Sequence, residues 1–248
     1  MHRLPDISNG NLALAQSEVR SASGPQRRAV SDDDVQAILR AASRRIVGPA
    51  LHTCHEMNVG VCDWKFRISS SRTMNAGAWP HGYIVVNRGI VEYADNEEQV
   101  CLVIAHEIGH QAANHVATSQ RNRMVGALVG GVLLGALSAA VTAANNGGAV
   151  PNRSAVELGA RVGGTVGELS FSKEQEREAD YLAALILYRS GVDLDRARGL
   201  LVAMAHASGR TETSFLDSHP AGPERVAGWD SAVAEIRASN GKLPARAF

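Results

Sequence analysis

Apolar positions recur at helical spacing over most of the chain and alternate at strand spacing in one short region. Ser31-Asp-Asp-Asp34 reads as a helix start, with acidic side chains at the positive end of the helix dipole. The stripe Val35, Ile38, Leu39, Ala42 and Ile46 predicts a helix over 32–58, with Gly48-Pro49 as the place where it could break. Asp63 to Ile68 alternates like a half-buried strand, 75–82 reads as a loop, and β-branched Tyr83-Ile-Val-Val-Asn87 predicts a second strand closed by Arg88-Gly89.

Beyond that region the pattern is helical again. Asp95-Asn-Glu-Glu98 matches a capping box, with Asp95 as N-cap, and opens a helix over 96–118. Ser172-Lys-Glu-Gln175 is a second match, opening a helix over 173–190 that Gly191 stops. A helix from Asp193 to about Ala207, a loop over 209–222 and a last helix over 223–238 follow. The expected fold is α+β and mainly helical, with a small sheet before the 96–118 helix. Residues 1–30, polar and rich in Ser, Gly, Arg and Asn, read as a flexible arm. Residues 31–240 form a single domain and 241–248 a tail.

Composition narrows the partners. With 25 basic and 25 acidic residues the formal net charge is zero, and no Lys/Arg run marks a nucleic-acid surface. Only 4% of residues are aromatic, so the core must rest on Ala, Val, Leu and Ile. Three cysteines without a CxxC pair argue against a thiolate metal site. Cys54 and Cys62 bracket a short loop and could be bridged in an oxidising compartment or stay as two thiols; Cys101 reads as a buried free thiol.

The 96–118 helix carries the chemistry. His106-Glu107-Ile108-Gly109-His110 puts two imidazoles on one helical face, able to share one zinc ion, with Glu107 placed to act on water there. A third histidine six residues past His110 is missing: Ala113 stands where a metzincin would have its glycine and Val116 where it would have that histidine, and His115, one residue out of register, reads as a surface histidine. A glutamate from the 173–190 helix is the alternative, with Glu174, Glu176 and Glu178 competing. Glu176 is preferred because Asp180 follows one turn later and can accept the second N–H of a ligating histidine. Glu178 has Leu182 at that place, and Glu174 and Glu178 also fit a solvated acidic face.

His106-Glu-Ile-Gly-His110 followed by Glu176-Arg-Glu-Ala-Asp180 resembles the HExxH…ExxAD pattern of the HtpX/BepA-like zinc metallopeptidases, the family that includes the CAAX prenyl endopeptidases. Asn75-Ala76, Gly82-Tyr-Ile-Val-Val86, Gly89-Ile90, and Ser218-His219-Pro220 with Arg225 resemble further segments of that family. The resemblance spans roughly 30–238. It implies a zincin-like metalloprotease domain whose sheet borders the cleft, and one zinc ion per chain on His106, His110 and Glu176. Glu107 would be the general base. His219 would assist at the oxyanion or block the metal, with Asp180 and Arg225 as supporting residues. Tyr83, Ile84, Val85, Val86 and Asn87 would form an exposed edge strand that binds an extended protein or peptide substrate. The function implied is hydrolysis of unfolded or misassembled proteins.

Met124 to Ala144 is 21 residues without a charge and contains Gly126-x-x-x-Gly130 and Gly131-x-x-x-Gly135. As a helix it would be about 30 Å long, enough to span a bilayer. His110 precedes it and Glu176 follows it, and both must reach one metal. Arg153, Glu157, Arg161 and Glu168 oppose a return span. The expectation is a Gly/Ala-rich helical insert over 124–170 that covers the cleft or lies on a membrane surface. Residues 1–30 contain no apolar leader segment. The compartment reads as periplasmic or membrane-associated from the resemblance, and as cytoplasmic from that absence.

Overall fold

The computed structural model describes residues 1–125, 128, 171–207, 219 and 221–246. Met1–His115 and Ser170–Phe248 form one compact unit; Val116–Leu169 form a second, in which residues 116–125 are helical. Most of the expected insert over 124–170, with its membrane-surface role at 124–144, and most of the loop over 209–222 lie outside the described residues. Among the described residues no helix is long and apolar enough to cross a membrane.

The first unit is mainly helical with one small sheet. Helix α1 spans Asn9–Ser21 and α2 spans Asp32–Met57. Strands β1 (Lys65–Ser69), β2 (Ala76–Trp79) and β3 (Tyr83–Asn87) come next, then α3 (Arg88–Tyr93) and α4 (Glu97–Ala112). Helices α5 (Lys173–Arg189), α6 (Leu194–Ala207) and α7 (Pro223–Ala238) complete the unit.

Helix α4 is the centre of the packing. Every residue from Gln99 to Ala112 is buried, including the polar ones, because α2, α5, α6 and β2 surround it. A helix apolar on most sides is stable only in such a place. Gly109 is the point of closest approach to α5: a Cβ there would stand 3.0 Å from the Ala179 carbonyl oxygen and 3.2 Å from its Cα. Helix α5 is nearly as deeply buried, from Gln175 to Leu187 apart from Arg177. It starts at the expected capping box, in which Ser172 accepts from the Gln175 amide and the Gln175 side chain accepts from the Ser172 amide. Gly191, with φ +65°, ends it.

Several boundaries differ from the pattern-based expectation. The N-cap of α4 is Asn96, not Asp95: its side chain accepts from the Gln99 amide, and the Gln99 side chain reaches back to the Asp95 N–H. Helix α2 continues through Gly48-Pro49, where Pro49 costs it one backbone donor and its buried face holds the helix in place. Cys54 and Cys62 are disulfide-bonded, and Cys101 is a buried free thiol.

The flexible arm is not what residues 1–30 form. Ser8 caps α1, whose Ala15 and Val19 are buried and which packs on α6 and α7. Arg198 of α6 fixes it, pairing both Nη atoms with the Glu18 carboxylate at 2.7 Å while its Nε holds Asp230 of α7 at 2.6 Å. The low apolar content hid this helix, because only a narrow stripe of it touches the core.

The sheet order is β1-β3-β2, with β1 parallel and β2 antiparallel to β3. Tyr83, Ile84, Val85, Val86 and Asn87 therefore form the central strand, paired on both sides, and the expectation of an open edge there is corrected. The edge strand beside α4 is β2, which the sequence pattern had assigned to a loop because Ala76-Gly-Ala-Trp79 lacks β-branched residues.

Candidate metal centre

Helix α4 delivers His106, Glu107 and His110, and α5 delivers Glu176 and Asp180, across the Gly109–Ala179 contact. His219 arrives from just before α7. One ligand atom from each of His106, His110, Glu176 and His219 lies within 4.8 Å of the other three, and all four residues are buried. The Nε2 atoms of His106 and His110 are 3.0 Å apart. Glu176 Oε1 lies 3.3 Å from His110 Nε2 and 3.0 Å from His219 Nδ1, and its Oε2 lies 3.5 Å from His106 Nε2. Two imidazoles, a carboxylate and a third imidazole are a donor set for a borderline divalent metal ion, and this cluster could hold one.

Glu107 stands beside this cluster with a different environment. It is fully buried, neither of its carboxylate oxygens makes a hydrogen bond among the described residues, and its Oε1 is 3.5 Å from His219 Nε2. Burial raises its pKa; His219 and His106 work against the rise, and Glu176 adds to it. Burial alone would also raise the Glu176 carboxyl, but His219, Arg225, His106 and His110 hold it well below the usual carboxylate range. Two neighbouring carboxyls are thus driven in opposite directions, one toward a permanent anion and the other toward a proton acceptor.

The ring nitrogens facing away from the cluster are held as well. His106 Nδ1 lies 2.9 Å from Asp180 Oδ1, and Arg225 grips Asp180 with Nε to Oδ2 at 2.8 Å and Nη2 to Oδ1 at 2.7 Å. Arg225 Nη1 also lies 3.2 Å from Glu176 Oε2. Burial opposes charge on His106, yet the contacts with Asp180 and Glu176 raise its pKa to about 9. Burial depresses that of His110 well below the ordinary value. Phe171 stacks on the His110 ring, with centroids 3.7 Å apart.

His115 is not a surface histidine. Helix α4 stops at Ala113, and Asn114 takes the left-handed conformation with φ 62°. That break turns His115 inward, its Nδ1 3.0 Å from Nδ1 of His110. Its Nε2 lies 3.0 Å from Oε2 of Glu178, so Glu178 is a buried, partnered carboxylate and no part of a solvated face. His2 approaches the other oxygen of Glu178. Of the three competing glutamates, Glu176 joins the cluster and Glu174 is exposed. Sequence reasoning missed His2, His115, Phe171 and Glu178. The Asn114 turn residue was the one available signal for His115.

Residues 41–232 match the profile of peptidase family M48. The chain belongs to this family. It is 31% identical to the beta-barrel assembly-enhancing protease of Escherichia coli strain K12 over 128 residues, 52% of this chain and 25% of that one. It is 30% identical to the metalloprotease LoiP of the same strain over 162 residues, covering 65% of this chain and 59% of that one. To the mitochondrial metalloendopeptidase OMA1 of Arabidopsis thaliana it is 28% identical over 162 residues, covering 65% and 30%. The chain thus spans between about a quarter and three fifths of the length of these relatives.

Proposed function

We propose that this M48 chain is a zinc-dependent metalloendopeptidase that hydrolyses peptide bonds in unfolded or misassembled protein substrates. The observation that carries the reading is the convergence of His106, His110 and Glu176 beside a buried Glu107 carboxylate that lacks a hydrogen bond among the described residues. Relatives named as a metalloprotease and a metalloendopeptidase support it.

His106, His110 and Glu176 would hold the zinc ion. The chemistry such an ion supplies is Lewis acidity toward a carbonyl oxygen and toward water. Glu107 takes the proton from the attacking water and returns it to the leaving amine; its raised pKa suits both halves of that transfer. Asp180 accepts from His106 Nδ1 and so keeps Nε2 free to ligate, while Arg225 fixes Asp180. An extended peptide would pair with the outer edge of β2, which is unpaired among the described strands and whose Ala78 adjoins Glu107. The Cys54–Cys62 bridge supports an oxidising compartment.

A second reading, a client-binding assembly factor with latent proteolysis, is favoured by the position of His219. Its Nδ1 lies 3.2 Å from His106 Nε2 and 3.0 Å from Glu176 Oε1, close enough to join the metal shell as a fourth ligand. Zinc analysis and casein digestion separate the possibilities. The wild-type chain should carry one zinc and cut casein; Glu107→Gln should keep the zinc and lose cleavage; Glu176→Ala should lose both. Full zinc and activity in Glu176→Ala would sink the assignment. His219→Ala raises the rate if His219 blocks the metal and lowers it if His219 donates to the oxyanion.

A further inference from the structure

We propose that Glu178 and His115 form a positioning relay for His110, closed at its far end by His2 of the N-terminal segment. The inference rests on the reading of His110 as a metal ligand.

The relay is four groups long and buried throughout. His2 donates its backbone N–H to Glu178 Oε1 at 2.6 Å, and its Nδ1 stands 2.7 Å from the same oxygen. Glu178 Oε2 is 3.0 Å from His115 Nε2, and His115 Nδ1 is 3.0 Å from His110 Nδ1. His2, His115 and Glu178 are each at least nine-tenths buried. Glu178 is not in the metal cluster, and the reason is helical geometry. It lies about 200° round the helix from both neighbours two residues away, so it cannot share the face of Glu176 and Asp180. It meets His115 because the Asn114 turn brings that side chain back.

Chemistry at the ends fixes the direction of every bond. A backbone N–H can only donate, and a carboxylate can only accept. Glu178 therefore receives a proton donor from His115, which places the hydrogen of neutral His115 on Nε2 and leaves its Nδ1 as an acceptor. His110 must then carry its hydrogen on Nδ1, leaving a lone pair on Nε2, the nitrogen that faces His106 and Glu176. The tautomer that can ligate a metal is thus enforced from outside the site. The two ligands are oriented by carboxylates from the same helix: Asp180 acts on His106 directly, and Glu178 acts on His110 through an imidazole spacer. His115 and Glu178 are positioning residues, since neither belongs to the metal cluster and His115 touches His110 only on the ring nitrogen that faces away from it.

Both oxygens of Glu178 are engaged, Oε1 by His2 and Oε2 by His115, which is the arrangement a carboxylate acceptor needs. His2 is also held by its surroundings. It forms a bridge with Arg246, and Arg3 N–H bonds to the Ala245 carbonyl at 2.8 Å, so the segment that carries His2 is tied to residues 245–246. Arg177 of α5 adds a bond from Nη2 to the Pro5 carbonyl at 2.8 Å.

The test is the dissociation constant for Zn²⁺, measured on the full chain by competition with a chromophoric chelator, together with ¹⁵N spectra of the histidine rings in the metal-free protein. Glu178→Gln and His115→Phe should weaken zinc binding by roughly 10- to 100-fold, the range typical of groups behind metal ligands. His2→Ala should weaken it less, in the same direction. The wild-type His110 ring should be in the Nδ1–H form, and both buried variants should mix the two tautomers, a change that loss of packing alone does not produce. Zinc binding within twofold of wild type in the folded variants, or a mixed His110 tautomer in the wild type, overturns the relay. Should Glu178→Gln or His115→Phe fail to fold, His2→Ala and the wild-type tautomer still decide it. A chain that shows these affinity losses but cuts no protein refutes the peptidase reading and leaves the relay standing. A wild-type chain that binds no zinc overturns both.

Discussion

Asp180 Oδ1 lies between two donors, Nδ1 of His106 at 2.9 Å and Nη2 of Arg225 at 2.7 Å, so a single carboxylate oxygen joins the orientation of a candidate metal ligand to a guanidinium on α7. Asp180→Asn keeps the shape but has only one acceptor oxygen and brings an amide that competes as a donor. Zinc affinity should fall by about 10- to 100-fold while the metal-free fold survives, as read by chelator competition and circular dichroism.

The Gly109 contact with α5 leads to a second expectation. A methyl group there meets backbone, at 3.0 Å from the Ala179 oxygen, and backbone cannot swing aside as a side chain can. Gly109→Ala should destabilise the fold by about 1–3 kcal/mol despite its better helix propensity. It should also weaken metal binding, because the two helices that carry the candidate ligands are forced apart. Urea unfolding of the metal-free protein measures the first effect and chelator competition the second.

Glu178 predicts an acid-dependent term in stability. Its pKa falls from the ordinary 4.5 to about 2 in the folded chain, so the unfolded chain binds its proton first as pH drops. The stability it supplies is complete above about 4.5 and is lost as pH falls through about 2. In thermal melts of the metal-free protein, wild type should melt above Glu178→Gln at pH 6. The gap should close between pH 4.5 and 2, with equal melting temperatures at the lower end. A gap that is constant with pH would show that packing, and not the carboxylate charge, accounts for the difference.

The Cys54–Cys62 bridge closes a loop with a sequence separation of 8 at the end of α2. Chain-entropy arguments for so short a loop give roughly 2–3 kcal/mol. Replacing both cysteines by serine should lower the urea midpoint accordingly with little change in zinc affinity, since neither cysteine belongs to the candidate metal cluster. Wild type measured in dithiothreitol should behave like the double variant.

The elements legible in the sequence were those whose own residues carry the signal. The capping box at Ser172 and Gln175 and the stop at Gly191 are local hydrogen-bonding devices, and α5 begins and ends where they stand. The i, i+4 spacing of His106 and His110, and of Glu176 and Asp180, places each pair on one helix face with no knowledge of what lies opposite. The motif order thus specified the family and the content of the site.

Three things were decided only by tertiary packing. The sheet order made Tyr83–Asn87 a central strand, because strand pairing depends on which segments meet across space and alternation along one segment says nothing of its neighbours. Helix α1 formed from a mostly polar stretch because α6 and α7 give its few apolar residues, Ala15 and Val19, a surface to bury against, and Arg198 of α6 pairs with its Glu18. His115 and Glu178 became partners because one left-handed residue, Asn114, redirected the chain and brought together groups 63 positions apart. Helical periodicity gives direction only while the helix continues. The sequence by itself determined the candidate ligands and their spacing; the fold decided what stands behind them, since a buried imidazole takes its tautomer from the acceptor that packing sets beside it.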